Sequence, residues 1–157
     1  MHWRHHILLQ MEKHGTTTQI GYPPKFMNVS GLLHHLLLRI FLVNDDSLQG
    51  TLPFGLWRPV EAMTIELQNN LFTGTMEPSY GSLTNLERLL FDYNHLRGEV
   101  PTEFGYLTNL RSLGLVNPLL SGSIPLQVCS LFEEGQLSEL TIDCDSQIRC
   151  DCNCTCG

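Results

Sequence analysis

Gly50, Gly74, Gly98 and Gly122 recur with a constant spacing of 24 residues, each inside nearly the same short phrase. The phrases are Asp46-x-Leu48-x-Gly50, Asn70-x-Phe72-x-Gly74, Asn94-x-Leu96-x-Gly98 and Pro118-x-Leu120-x-Gly122. A fixed period in this range marks a chain built from stacked, similar coils, because one such unit cannot bury its own apolar edge.

The apolar positions keep the same register. Seven residues before each glycine stand Val43, Leu67, Phe91 and Leu115. Nine before stand Phe41, Ile65, Leu89 and Leu113, and twelve before stand Leu38, Ala62, Leu86 and Leu110. The alternation at minus nine and minus seven is that of a half-buried strand. Strands are expected near 39–43, 64–67, 88–91, 112–115 and 139–142, the last from Leu137, Leu140 and Ile142. Leu52, Met76, Val100 and Ile124 follow two residues after the glycines, and Pro53, Pro101 and Pro125 then end the extended run. The outer segments near 54–58, 78–83, 102–107 and 126–131 are too short for full helices, and turns or 3₁₀ segments are expected. Asn70 and Asn94 stand where the chain turns inward, placed to bond backbone groups of the turn and of the adjacent coil. Pro118 replaces this asparagine in the last coil, and Asn117 stands one residue early. The glycines are expected at a positive φ or where a side chain would crowd the next coil. A leucine-rich helical bundle is disfavoured, since Pro and Gly recur too regularly within each period.

The 157 residues suit one domain, and 42% hydrophobic against 16% charged residues is a globular composition. The net charge of −7 opposes a nucleic-acid-binding role, which needs a basic footprint. Residues 32–43 are the most apolar stretch, but His34, His35 and Arg39 interrupt it and no transmembrane segment is expected. The residues around Arg4 carry positive charge without the apolar run of a signal peptide. Residues 1–37 fall outside the repeat and read as an irregular N-terminal segment, 38–143 as the repeat domain and 144–157 as a cysteine-rich cap. His2, His5, His6 and His14 lack accompanying carboxylates or thiols and read as a solvated terminus rather than a metal site.

All six cysteines lie late in the chain, at Cys129, Cys144, Cys150, Cys152, Cys154 and Cys156. Disulfides covering the open end of the solenoid are expected, and with them an extracellular or cell-surface location. Six cysteines allow fifteen pairings, and the spacing does not choose among them. Because Cys129 and Cys144 flank the final coil, one should tie the outer side to the tail. A thiolate metal cluster in the tail is the alternative reading. Asn28 and Asn153 begin sequons completed by Ser30 and Thr155 and are candidate glycosylation sites.

The run from Leu86 to Pro101, with Leu110, Leu113 and Leu115 and then Gly122-Ser-Ile-Pro125, resembles the leucine-rich-repeat family in its 24-residue plant-type form. The similarity covers about residues 38–156. The ending from Leu137 to Cys144, followed by Cys150 to Cys156, resembles the cysteine-rich close of algal (diatom-type) members. The resemblance implies an α/β solenoid, a short right-handed superhelix with a parallel sheet on its concave face. It is similar to the ectodomains of receptor-like kinases, receptor-like proteins and polygalacturonase inhibitors. Residues 1–37 match neither the leader nor the cysteine-bearing N-terminal cap usual there, and no kinase motif follows. A truncated product, or the ligand-facing part of a larger receptor, is therefore expected.

In this family the outward residues of the concave strands read the ligand. Alternation names three rows here. The first is Ile40, Thr64, Arg88, Ser112 and Glu139; the second Leu42, Glu66, Leu90, Gly114 and Thr141; the third Asn44, Gln68, Asp92, Val116 and Asp143. At about 4.8 Å between strands the patch is on the order of 20 Å across. The candidate partner-binding residues are Thr64, Glu66, Gln68, Arg88, Leu90, Asp92, Tyr93, Ser112 and Val116, with Tyr93 at the rim. The expected function is non-catalytic recognition of a protein or peptide, with no cofactor. Inhibition of a secreted polysaccharide-degrading enzyme is the alternative that the family implies, and metal binding by the tail is a third. No nucleophile–base set, phosphate loop or metal motif lies within the repeats, so an enzyme is not expected.

Overall fold

The computed structural model describes residues 8–13, 16–20, 38–42, 48–52 and 62–157. Asn28, the four N-terminal histidines, Asn44 and the outer segment 54–58 lie outside the described residues.

Two sheets run along the solenoid. The inner one contains β1 (Leu8–Lys13), β2 (Thr16–Ile20), β3 (Leu38–Leu42), β5 (Thr64–Glu66), β7 (Arg88–Leu90), β9 (Ser112–Leu115), β11 (Glu139–Ile142) and β13 (Thr155–Cys156). Its order is β13-β11-β9-β7-β5-β3-β1-β2. The second sheet contains β4 (Gln49–Thr51), β6 (Leu71–Gly74), β8 (His95–Gly98), β10 (Leu119–Ser123) and β12 (Gln147–Arg149), in the order β12-β10-β8-β6-β4. From β3 to β13 every inner pairing is parallel, as one turn of spiral per repeat requires.

The spine sits between the sheets. Ile65 pairs in register with Leu89, Leu89 with Leu113, and Leu113 with Leu140, and all four side chains are buried. Leu67, Phe91 and Leu115 form a second buried row, and Leu86, Leu110 and Leu137 a third. Phe72, Leu96 and Leu120 close the core under the second sheet. Tyr80 packs edge-on against Phe91, ring centroids 5.4 Å apart, a favoured aromatic geometry. The repeat glycines Gly74, Gly98 and Gly122 have φ of +89°, +85° and +82°. That backbone requirement fixes glycine there.

Asparagines stitch the coils together. Asn70 Oδ1 accepts from the Leu48 N–H at 3.0 Å, and Asn94 Oδ1 from the Phe72 N–H at 3.0 Å. The amide of Asn94 also donates to the carbonyls of Leu67, Phe91 and Asp92. In the last full coil Asn117 keeps the ladder despite its shift: its Oδ1 accepts from the Asn94 N–H at 3.1 Å and its amide donates to Phe91. Pro118 is thus no interruption.

The convex side differs between coils. Pro78–Ser82 and Thr102–Tyr106 are 3₁₀ segments, as expected. The last of the four expected segments, near 126–131, is instead α1 (Leu126–Glu133), a correction to the expected turn. Its coil is three residues longer, Leu110 to Leu137 spanning 27, and no Gly or Pro falls within Leu126–Glu133. Gly135, at φ +79°, ends it, with the Gly135 and Gln136 N–H groups bonded back to Phe132 and Leu131. This is a Schellman termination. Gly81 and Gly105 stand at the matching place in the 3₁₀ segments, where a Cβ would strike Glu103 and Gln127 of the next coil. Cys129 occupies that place in α1, where no full coil follows, and it bonds Cys152 of the tail.

Both ends depart from simple repetition. Within the segment expected to be irregular, the described residues 8–13 and 16–20 are strands: β1 and β2 form an antiparallel hairpin, and β1 pairs antiparallel with β3. The Thr-rich β2 suits a strand. At the other end the tail is a compressed coil. β12 joins the second sheet beside β10, and β13 reaches the inner sheet with Thr155 opposite Thr141. So short a coil adds little apolar spine, and three disulfides hold it: Cys129–Cys152, Cys144–Cys156 and Cys150–Cys154.

Three stability outcomes follow. Leu89→Ala should cost about 2–5 kcal/mol in a thermal melt. Asn94→Leu orphans several buried groups and should cost at least about 3 kcal/mol, read from the urea midpoint. Removing Cys129 and Cys152 together by serine should cost about 2–4 kcal/mol, and that difference should vanish in reductant.

Candidate recognition face

Parallel pairing lays two of the three expected rows across the concave face. Thr64 pairs with Arg88, Arg88 with Ser112, and Ser112 with Glu139. Glu66, Leu90, Gly114 and Thr141 form the second row in the same way. Because alternate residues enter the core, these must face outward.

The residues do not contribute equally. Arg88 is exposed, and its Nε lies 3.0 Å from Glu66 Oε1 across adjacent strands. Thr64 and Glu66 lie beyond the hollow described below; Glu66 holds the guanidinium and Thr64 is half-buried. Ser112 and Val116 are only 5% and 6% exposed. The Ser112 hydroxyl donates to Glu139 Oε2 at 2.8 Å, and the Gly157 backbone lies against Val116. They form floor rather than tips.

Asp92 ties three coils. Its Oδ1 accepts from the Val116 N–H at 3.0 Å and from the Thr141 hydroxyl at 3.1 Å. Its Oδ2 lies over Gly114, where any Cβ would collide with it. Glycine at that point of β9 is therefore room for the carboxylate. Burial raises the Asp92 carboxyl above the usual aspartate value; the hydrogen bonds from Val116 and Thr141 oppose this, and the charge of Glu139 adds to it.

Tyr93 follows at φ +54°, a strained region for a bulky residue, and is 56% exposed. Asn69, at φ +57°, holds the equivalent corner one coil earlier. At both corners the backbone N–H bonds the next coil, Asn69 to Asp92 O at 3.0 Å and Tyr93 to Val116 O at 2.7 Å. The conformation belongs to the fold; the aromatic side chain there does not.

Gln68, Arg88, Leu90, Asp92, Tyr93, Ser112 and Val116 line one hollow of about 230 Å³, completed by Glu139, Thr141 and Gly157. Seven expected candidates are thus brought together. Glu139 and Thr141 were legible as row members but not as site residues. Gly157 had no sequence signal, because only the folded tail brings it there.

Outside this face, the Sγ atoms of Cys150, Cys152 and Cys154 lie within 4.8 Å of one another. Each is in a disulfide, so none offers the thiolate that a metal needs. Asn153 is exposed between them. Among the described residues no helix is long and apolar enough to cross a membrane.

No protein-family model and no curated protein matches the chain. Solved structures do. The leucine-rich-repeat ectodomain of the receptor kinase SOBIR1 from Arabidopsis thaliana superposes with a TM-score of 0.64 at 23% identity, covering 74% of this chain and 61% of that one. The BIR2 ectodomain from Arabidopsis thaliana gives 0.58 at 26%, covering 65% and 54%. The ectodomain of the Arabidopsis thaliana membrane receptor kinase GASSHO1/SCHENGEN3, solved in complex with CASPARIAN STRIP INTEGRITY FACTOR 2, gives 0.58 at 30%, covering 72% and 13%. Each match spans less than two thirds of the neighbour's own length. Its period, stacked parallel strands, buried asparagines and these likenesses make the chain a leucine-rich-repeat protein.

Proposed function

We propose that the chain is a non-catalytic recognition module that binds a protein or peptide on its concave face, outside the cell. The observation that carries this reading is the hollow rimmed by Arg88 and Tyr93, both exposed on the concave side. Aromatic and arginine side chains are the usual anchors of interfaces. Tyr93 adds a second argument. The corner accepts asparagine with less strain, as at Asn69, yet a tyrosine stands there. Strain kept in an exposed aromatic fits a side chain retained for contact rather than for folding. The likeness to receptor ectodomains supports the reading, and GASSHO1/SCHENGEN3 was solved with a bound factor. Two disulfides within the tail and a third joining it to α1 support an oxidising compartment.

The experiment is affinity capture from an extracellular fraction, with wild-type and Arg88→Glu baits in parallel. Arg88→Glu should leave the melt within about 1 kcal/mol, since it alters a surface pair, and should lose the captured partner. An unchanged partner set would overturn the reading. Capture and inhibition of a glycosidase would assign the inhibitor role instead. Tyr93→Asn should behave differently from both: it should raise stability by about 1 kcal/mol by relieving the left-handed corner, while weakening capture.

A further inference from the structure

We propose that the concave hollow takes a primary ammonium group, the tip of a lysine side chain on a protein or peptide partner; this rests on reading that face as the recognition surface. Charge and one unpaired acceptor carry this. The Ser112 hydroxyl is spent on Glu139, and the Thr141 hydroxyl and Val116 N–H on Asp92. The Arg88 Nε is spent on Glu66, whose charge offsets its own, while the rest of its exposed guanidinium keeps four N–H donors. Against that one guanidinium, itself paired with Glu66, the hollow sets two carboxylates, Asp92 and Glu139, and Gln68 Oε1, which is shielded from solvent and has no hydrogen-bond partner.

An anion entering there would meet two carboxylates. An ammonium brings three donors and the opposite charge. It also offsets the two effects that disfavour ionised Asp92, its burial and the neighbouring Glu139. Size points the same way. At about 230 Å³ the hollow is smaller than the roughly 300–1,000 Å³ typical of small-molecule sites. It suits one long side chain. Half-buried Leu90 and the Tyr93 ring provide apolar contact for a methylene stem whose charged tip goes deeper.

The test is an NMR titration of the full chain with Nα-acetyl-lysine-N-methylamide, followed at the backbone amides of Val116 and Thr141. Saturable shifts are expected. The Nε-acetylated analogue should bind at least about tenfold more weakly, the worth of one charged hydrogen bond. Glycine-N-methylamide, which carries only an α-ammonium, should not saturate; if it matches the lysine probe, a chain terminus is the occupant and the lysine assignment falls. Glu139→Gln is at an exposed position and should keep the folded spectrum while weakening the lysine probe. Equal binding of the acetylated analogue, absence of saturable shifts, or the same shifts from calcium alone would overturn the proposal. A partner lost by Arg88→Glu but indifferent to Glu139→Gln and to acetylation of its lysines would overturn only this proposal, leaving the concave face as the recognition surface. A partner set unchanged by Arg88→Glu would instead sink the broader reading.

Discussion

Each coil turns a sharp corner after its inner strand, and at that corner backbone groups enter the interior with no strand to pair them. The asparagine ladder answers this. An amide side chain both donates and accepts, so Asn94 can serve the N–H of Phe72 in one coil and carbonyls in its own and the preceding coil at once. No apolar residue could do so, and a buried unpaired amide costs about 1–3 kcal/mol. The leucine rows supply the bulk of the burial, but they would pack in other registers too. The ladder fixes which coil sits on which, and with it the alignment of Arg88, Ser112 and Glu139 on the concave side.

The two ends of the stack solve the open-edge problem with different chemistry. At the start an antiparallel hairpin extends the inner sheet beyond β3. At the finish the chain makes a short coil that reaches both sheets and is held by disulfides in place of a leucine row. The exchange is visible at one position. Glycine at 81 and 105 lets the next convex segment close in, and at 129 the same place carries the cysteine that anchors the tail. The tail also reaches the concave face, since Gly157 comes to rest against Val116.

Much of this was legible in the sequence, for a physical reason. A constant period turns local patterns into a prediction of neighbours, so Ile65, Leu89 and Leu113 could be aligned before any coordinate. The rows of the concave face came from the same period combined with strand alternation. What escaped were features that break the period. The extra residues that admit α1 could be counted but not assigned a shape, because helix and turn compete closely in so short a segment. The hairpin preceding β3 was hidden by its setting outside the repeat. The role of Gly114 was invisible, since glycine in a strand has several uses and only the fold shows the Asp92 carboxylate lying over it. Asn117 was noticed as displaced, and its backbone bonds show that the ladder tolerates a one-residue shift.

The most direct measurement is amide hydrogen exchange at Phe72 and Asn94, the two backbone groups that bond to the side chains of Asn94 and Asn117. Both should exchange only through global unfolding, at the same free energy as the strand amide of Leu113 in β9. Fast exchange at Phe72 and Asn94 while Leu113 stays protected would contradict a ladder that locks one coil to the next.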